Sequence, residues 1–574
     1  MAYIDRFDFE ITSLEDIRTL KHKKNKVGEN WPVVYVLNSN KEAYVGQTTN
    51  AARRANDHLN NPIKKKLTEI RIISDDDFNV SVVLDLESYL ITHMAADKKY
   101  TLLNGNNGLQ DHDYYERSRY EDEFRTIWKK LHKLGVVDNT ISEIENSELF
   151  KYSPYKTLGE EQKRTEMEIL KAFAEHFGDT NGVTIIVNGG AGTGKTVLAI
   201  YLMKLFADIN EKGLIEPNDD DYDDMDAEYV YAAESINGIE KIGIVFPQKS
   251  LRESLKDVFK CIGSLSPKMV LDTSDVVDNY IKTKEKYDLL IVDEAHRLKC
   301  RNRGHLTHYP KFDKCNENLG LDKMTGTELD WIFKCSKNRI IFRDDLQTIR
   351  PCDIENDVFK DILENRYKST VVRQALETQW RCKGGNDYIN YVRDILSCTV
   401  KEYHEIEGYD FKLYDDANRM IEDIKTLNSK MGLCRTAAGY AWKWNSKKDK
   451  KAYDIFLDDK KYRWNSRDVK WIEFAGSINE IGCIHTVQGY DLNYLGVIIG
   501  EDIKYDKDKG EIYPDKTCYF DQQGKSGVAN DKEALRDYLT NIYLTLMTRG
   551  IRGTYVYVCD PALREYMSQF IPWA

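Results

Sequence analysis

An α/β multidomain chain, with a small mixed domain followed by two parallel-sheet lobes, is predicted by three features of the sequence. From residue 158 onward, strand-length apolar runs alternate with helical patterns. The runs are Val183–Val187, Ile242–Phe246, Leu289–Val292 and Ile340–Phe342, the signature of a parallel sheet covered by helices. The same alternation recurs after residue 410, through Met431–Leu433, Ile481–His485, Val497–Ile499 and Tyr555–Val558. Residues 30–110 follow another rule, with two short neighbouring strands and then two helices. A chain of 574 residues also exceeds what one hydrophobic core serves.

In the N-terminal part, Val33–Leu37 reads as a strand, Asn38–Asn40 as a turn, and Tyr44-Val45-Gly46 as the core of a second strand. Arg53–Leu59 and Val83–Met94 suit helices, and Asn104–Gly108 is a loop by composition. Residues 112–150 are strongly charged, with Trp128, Leu131 and Leu134 at helical spacing, and read as a helical connector. The expected division is 1–111, a small α/β domain; 112–154, the connector; 155–368, the first lobe, with an acidic surface insertion over 212–238; and 369–574, the second lobe.

Composition narrows the class. Hydrophobic residues make up 41% and charged residues 31%, and no apolar run is long enough to cross a bilayer. The start, Met1-Ala2-Tyr3-Ile4-Asp5, lacks the basic and apolar blocks of a secretory signal, so no membrane partner and a cytoplasmic location are expected. The 11 cysteines all follow residue 260 without close pairing, as in a reduced protein. The net charge of −12 neither excludes nor supports nucleic acid, because a binding groove is local.

The strongest chemical signal is Gly189-Gly190-Ala191-Gly192-Thr193-Gly194-Lys195-Thr196, which fits G-x-x-x-x-G-K-[ST] completely between a strand and a helix. Gly189, Gly192 and Gly194 let backbone N–H groups converge on a β-phosphate. Lys195 supplies charge to the β/γ oxygens, and the Thr196 hydroxyl suits Mg²⁺. The apolar run Leu289–Val292 then delivers Asp293 to Mg²⁺ and Glu294 to the hydrolytic water.

With these residues in place, 158–560 resembles superfamily-1 helicases, and more narrowly the Schlafen-like P-loop group. The resemblance implies two RecA-like motor lobes. It implies that Leu158 and Gln162 form the adenine-reading glutamine motif, and that Asp344 and Gln347 of Asp344-Asp345-Leu346-Gln347 couple nucleotide to nucleic acid. It makes Arg381 of Gln379-Trp380-Arg381 and Arg549 of Leu546-Met547-Thr548-Arg549 the two γ-phosphate arginines, and His485–Gly489 the fifth motif.

The residues Tyr35, Tyr44-Val45-Gly46, Arg54, His58, Glu87 and Asn104 resemble the GIY-YIG nuclease superfamily over 30–110, with Val33 where the first motif has glycine. The resemblance implies Glu87 as the single ligand of Mg²⁺ or Mn²⁺, Arg54 on the scissile phosphate, and Tyr35, helped by Tyr44 and His58, activating water, with Asn104 closing the site. Arg54 and His58 lie one helical turn apart, so one face carries both.

Weaker signals are Cys300, His305, His308 and Cys315, whose irregular spacing favours a surface loop over zinc, and Tyr440, Trp442 and Trp444, which suit base stacking or core packing. Lys64-Lys65-Lys66 suits a phosphate contact or a solvated run. The expected function is an ATP-dependent nuclease–translocase acting on DNA, in defence against foreign DNA. The rival is a non-cutting NTP-switched sensor or RNA-binding ATPase. Protein partners and homo-oligomerisation are left open.

Overall fold

The computed structural model describes residues 2–104, 117–154, 158–190, 192–212, 238–262, 264–301, 309–344, 353–379, 382–449, 451–467, 471–472, 474–487, 490, 492–521, 525 and 531–574. The chain forms two compact units. One is Met1–Glu160 with Ile200–Tyr222 and Ser254–Val270; the other is Glu161–Ala199, Asp223–Glu253 and Leu271–Ala574.

The first unit is built on five strands: β1 Tyr3–Asp8, β2 Val33–Asn38, β3 Glu42–Thr48, β4 Glu69–Ser74 and β5 Thr101–Leu102, in the order β1-β4-β2-β3-β5. All pairings are antiparallel except β3 with β5. β2 is central and wholly buried, so its unbroken apolar run replaces the usual alternation. Val33 is an ordinary buried strand residue here, paired with Thr48, and Tyr35 lies directly across from Gly46. The helix Ala51–Asn60 starts at Asn50, whose side chain accepts from Arg53 N–H; the helix Val80–Asp97 starts at Asn79, which accepts from Val82 N–H.

The predicted connector is more than a spacer. Its helices Arg117–Lys133, Ile141–Glu145 and Glu148–Lys151 pack on Val80–Asp97. The buried Asp97 carboxylate accepts from the backbone N–H of Asp138 and Asn139 at 2.9 and 2.7 Å, tying the two parts together. The insertion expected over 212–238 lies almost wholly outside the described residues.

In the second unit, the first lobe carries β6 Val183–Gly189, β7 Ile242–Val245, β8 Val270–Leu271, β9 Tyr287–Val292, β10 Ser336–Arg343 and β11 Thr370–Leu376, ordered β11-β6-β10-β9-β7-β8. The pairings β11/β6, β6/β10, β10/β9 and β9/β7 are all parallel. The second lobe carries β12 Asp410–Tyr414, β13 Cys434–Ala438, a hairpin of β14 Ile455–Leu457 and β15 Lys460–Tyr462, β16 Ile481–Cys483, β17 Leu492–Ile499, a hairpin of β18 Ile503–Asp506 and β19 Glu511–Pro514, and β20 Gly550–Val558. Its parallel sheet runs β12-β20-β17-β13-β16.

Two expected strands shift. Met431 ends the helix Ala417–Met431 and Leu433 has φ +47°, so the strand expected at Met431–Leu433 begins at Cys434 instead. The run Ile481–His485 stays extended only to Cys483, because the Thr486 hydroxyl accepts from Cys483 N–H at 3.1 Å and turns the chain into a helical turn, Ile484–Val487.

Candidate nucleotide and phosphodiester sites

The loops at the C-terminal ends of β6, β9 and β10 gather the first cluster, where a parallel sheet presents its ligand-binding end. Gly192 and Gly194 have φ +86° and +83°, conformations that favour glycine. Space demands glycine as well. A Cβ on Gly194 would lie 2.2 Å from Gln162 Nε2, and one on Gly192 would lie 2.0 Å from Gln379 Oε1. Gln162 donates from Nε2 to the Thr193 and Gly194 carbonyls at 3.4 Å, so this side chain lies against the loop. Leu158 is buried nearby in sequence.

Lys195, buried at the start of the helix Lys195–Lys212, donates to the Gly189 and Gly190 carbonyls at 2.7 Å and lies 3.9 Å from Asp344 Oδ2. The Thr196 hydroxyl donates to Asp293 Oδ2 at 2.6 Å. The other oxygen of this fully buried carboxylate, Oδ1, is without a hydrogen-bond partner among the described residues. Burial first, then the charge of Glu294, pushes the Asp293 pKa up. Glu294 goes the other way. Burial opposes its ionisation, but His296, Arg297 and Lys195 outweigh burial and hold the carboxyl well below its ordinary range. Neighbouring carboxyls pushed apart in this way suit different tasks.

Glu294 has φ +52°, which swings its side chain back toward the following turn. Its Oε2 lies 3.1 Å from His296 Nε2 and 3.2 Å from Arg297 Nε. The Asp344 backbone N–H donates to His296 Nδ1 at 3.2 Å, which leaves the ring proton on Nε2, facing Glu294. The imidazole thus takes a hydrogen bond from the end of β10 and lies beside Glu294 at the end of β9, its Nε2 making no hydrogen bond among the described residues.

Arg549 is buried at the turn between the helix Lys532–Met547 and β20, its carbonyl accepting from Leu492 N–H at 3.4 Å. Arg381 and Gln347 lie outside the described residues, as do Gln488 and Gly489. The segment just after Arg381 is described and runs to the Arg549 turn. Lys383 N–H donates to the Ile551 carbonyl at 2.9 Å, and the Tyr388 hydroxyl donates to the Met547 carbonyl at 2.8 Å.

The second cluster is in the first unit. Tyr35 is buried on β2, its hydroxyl 2.7 Å from His58 Nε2 and accepting from Arg54 Nε at 3.4 Å. The rings of Tyr35, Tyr44 and His58 form a triangle with centroids 6.3, 5.5 and 5.2 Å apart. Gly46 makes the room: a Cβ there would fall 2.2 Å from the Tyr35 hydroxyl. Burial raises the Tyr35 pKa against the pull of Arg54, and the negative charge of the half-buried Glu87 also reaches this phenol. Burial, then Lys64 and Arg54, pushes His58 down to about 2, so its imidazole is neutral. Asn104 clamps β3 from the side, accepting from Val45 N–H at 3.1 Å and donating to the Val45 carbonyl at 2.8 Å. Tyr35, Tyr44, Arg54 and His58 thus meet in one cluster, Glu87 acts on it through its charge, and Asn104 holds the neighbouring strand at Val45.

Residues 182–560 match the family "Schlafen group 3, DNA/RNA helicase domain". The chain belongs to that family. Among curated proteins it is 26% identical over 447 residues to the uncharacterized protein YPL245W of Saccharomyces cerevisiae, covering 71% of this chain and 90% of that one. Two solved structures are also similar. The arterivirus nonstructural protein 10 helicase has 9% identity, covers 69% of this chain and 63% of its own, and gives a TM-score of 0.27. A DEAD box protein from Methanococcus jannaschii has 11% identity, covers 72% and 94%, and gives 0.24. The family match makes the parallel-sheet lobes of this chain those of a helicase-like ATPase.

Sequence reading missed Glu161, and it gave Gln379 only as the first residue of the motif that carries Arg381. The Glu161 carboxylate accepts from the backbone N–H of Glu377 and Thr378 at 2.7 and 2.8 Å, fixing the stretch that leads to Arg381. In the first unit it passed over Lys64 as a site residue, yet its ammonium lies 3.7 Å from the centre of the Tyr44 ring. Trp442 and Trp444 are half-buried and pack with Tyr440 against the core around Trp464, which favours packing over base stacking. His305 and His308 lie outside the described residues, and among the described residues no group of three or more His, Cys, Asp or Glu is placed to hold a metal. No helix among the described residues is long and apolar enough to cross a membrane.

Proposed function

We propose that this protein is an ATP-driven nucleic-acid motor whose N-terminal domain, 1–111, cuts DNA as a metal-dependent phosphodiesterase. The observation that carries the motor half is the pair Thr196–Asp293, 2.6 Å apart at the foot of a phosphate loop, with Lys195 and Glu294 on either side. The buried Asp293 Oδ1, without a hydrogen-bond partner among the described residues, and the Thr196 hydroxyl are the hard oxygen donors that Mg²⁺ takes. When bound there, the ion would offset charge on the β- and γ-phosphates of ATP. Lys195 supplies a second positive charge, the glycine-rich loop supplies N–H donors, and Gln162 reads the base. Glu294, kept ionised by His296 and Arg297, orients the attacking water and takes its proton. Arg381 and Arg549 neutralise charge on the leaving γ-phosphate, and Asp344 with Gln347 links this site to the bound strand.

The cutting half rests on Tyr35. A hydroxyl held between a neutral imidazole and a guanidinium is fixed in direction, so Tyr35 can orient the attacking water while Arg54 binds the phosphate. Glu87, half-buried with its charge felt at Tyr35, is the oxygen donor for a hydrated Mg²⁺ or Mn²⁺, which would polarise the phosphodiester. Coupling a cutter to a motor suits the clearance of foreign DNA. The test is purified protein incubated with plasmid DNA and with structured RNA, with and without ATP and Mg²⁺. DNA cleavage that needs Glu87, together with ATP turnover that needs Lys195, supports the proposal. ATP turnover without cleavage of either polymer would leave a non-cutting nucleic-acid switch.

A further inference from the structure

Between Lys443 and Arg467 the chain carries nine basic residues against four acidic ones, in a protein of net charge −12. This stretch leaves the C-terminal end of β13, forms the hairpin β14/β15, and returns to the edge of the second-lobe sheet beside β16. Its base is built firmly. The buried Asp454 carboxylate accepts from Ser446 and Trp464 N–H at 2.7 and 2.8 Å, and Tyr462 donates to Asn418 Oδ1 at 2.7 Å. Ile481 N–H donates to the Arg463 carbonyl at 3.1 Å, and Asn465 N–H donates to the Ile481 carbonyl at 3.0 Å. The hairpin thereby grips β16, the strand that leads directly to Thr486.

The outer surface is of another kind. Phe456, on β14, is 62% exposed although its neighbours Ile455 and Leu457 are buried. Lys447 lies 4.9 Å from the Trp444 ring, and Lys461 and Arg463 lie 4.6 and 5.5 Å from the Tyr453 ring. None of these three cations has a carboxylate partner among the described residues, unlike Lys460, which reaches Glu422 at 3.8 Å. Lys461 is the cross-strand partner of Phe456, and cations without carboxylate partners beside an exposed aromatic ring are what a single nucleic-acid strand recognises, because phosphates take the charges and bases take the π-face. A protein partner would more often be met by a broader apolar patch with fewer like charges.

We propose that the β14/β15 hairpin is a contact site for single-stranded nucleic acid, with Phe456 stacking on a base and Lys447, Lys461 and Arg463 holding the flanking phosphates. The site reports strand occupancy to Thr486 through the backbone pairing of Arg463–Asn465 with Ile481. The proposal rests on the nucleic-acid reading above and extends it to a surface outside the helicase motifs.

The test uses the full chain, oligo-dT and oligo-U as probes, and two variants, Phe456→Ala and the triple Lys447→Ala/Lys461→Ala/Arg463→Ala. Phe456→Ala should weaken probe binding by at least about fivefold, and the triple change should lower the slope of log affinity against log salt by about 2. Both should leave ATP turnover without nucleic acid unchanged, and Phe456→Trp should restore binding. If wild type binds the probes and both variants bind equally well with the same salt slope, the hairpin is not a contact site. If wild type binds neither probe, the nucleic-acid reading itself falls. Binding confined to intact duplex plasmid overturns the single-strand assignment alone.

Discussion

Gly46→Ala puts the geometry around Tyr35 at risk in a way that can be measured. The new Cβ would lie 2.2 Å from the Tyr35 hydroxyl and 2.4 Å from its ring carbon Cζ, where an ordinary contact needs about 3.5 Å. Tyr35 is buried and its strand is paired on both sides, so the ring must give way by roughly 1 Å. A move of that size breaks the 2.7 Å bond to His58. Overpacking of this kind costs about 1–3 kcal/mol, and the lost buried hydrogen bond adds about 1 kcal/mol. The N-terminal unit should therefore lose about 2–4 kcal/mol and its cleavage activity, while ATP turnover persists. Tyr35→Phe removes the hydroxyl but keeps most of the ring, so the double variant should be less destabilised than the sum of the singles. Hydrogen exchange of β2 and β3 reads the stability, and plasmid nicking reads the activity. Wild-type exchange in Gly46→Ala, or strict additivity in the double variant, would refute the close packing of Gly46 on Tyr35.

Lys195→Ala should reduce ATP turnover to background in a steady-state phosphate-release assay while leaving circular dichroism unchanged; near-normal turnover would remove it from the site. Arg549→Ala, and likewise Arg381→Ala, should lower kcat by about 10²-fold or more with little change in nucleotide affinity, because each acts on the transition state; wild-type kcat in either variant argues against that residue. Glu87→Ala should abolish nicking with ATP turnover intact, and added Mn²⁺ should not restore it; equal nicking by wild type and variant points to another site. Burial lowers His58 to about 2 and His93 to about 4, both beneath an ordinary value near 6.5, so the unfolded state binds more protons on acidification. Their contribution is complete above about pH 6.5 and falls as pH drops toward the folded values, by about 2 kcal/mol each between pH 7 and 5. Melting of the N-terminal unit across that range checks the slope, and a flat profile would mean that neither ring is buried neutral.

The motor lobes were legible because buried parallel strands carry nearly continuous apolar runs, and because the phosphate loop packs its chemistry into eight consecutive residues. The Tyr35 cluster was picked out for a different reason: its residues are far apart in sequence but resemble a family's order, and the fold brings Tyr35, Arg54 and His58 within bonding distance. Other features left no local signal. Lys64 looks like part of a solvated run until the turn Lys64–Lys66 places it over Tyr44. The strand expected at Met431–Leu433 moved because the helix before it persists until Gly432, where φ turns positive, and strength of apolar pattern does not reveal that stop. The β14/β15 hairpin has strands of three residues and a turn at Asp458 with φ +51°, too short for periodicity to show.

What the sequence motifs do not convey is how the parts constrain each other, and here the isolated polar residues matter most. Lys195 lies near Asp344, the Asp344 N–H holds His296 Nδ1, and His296 Nε2 faces Glu294. This circuit ties the backbone position of Asp344 to the surroundings of both Lys195 and Glu294, the residues proposed to hold phosphate and to orient water. A displacement of the chain after β10 of even 1 Å would lengthen the 3.2 Å bond to His296 beyond hydrogen-bond range and free the ring to turn from Glu294. Glu161 and Gln379 provide the matching constraint on the other side. Glu161 anchors the backbone of Glu377 and Thr378, and the Gln379 side chain rests on Gly192, so the stretch entering the second lobe is registered against the phosphate loop. The first lobe thus meets the nucleotide site from two directions, through one imidazole and through one amide, and each is held by a backbone hydrogen bond or a glycine surface that no other residue type would reproduce. Short-range polar contacts thus join motifs that the sequence names one by one, and Glu161 and His296 are the joining residues that the motifs did not single out.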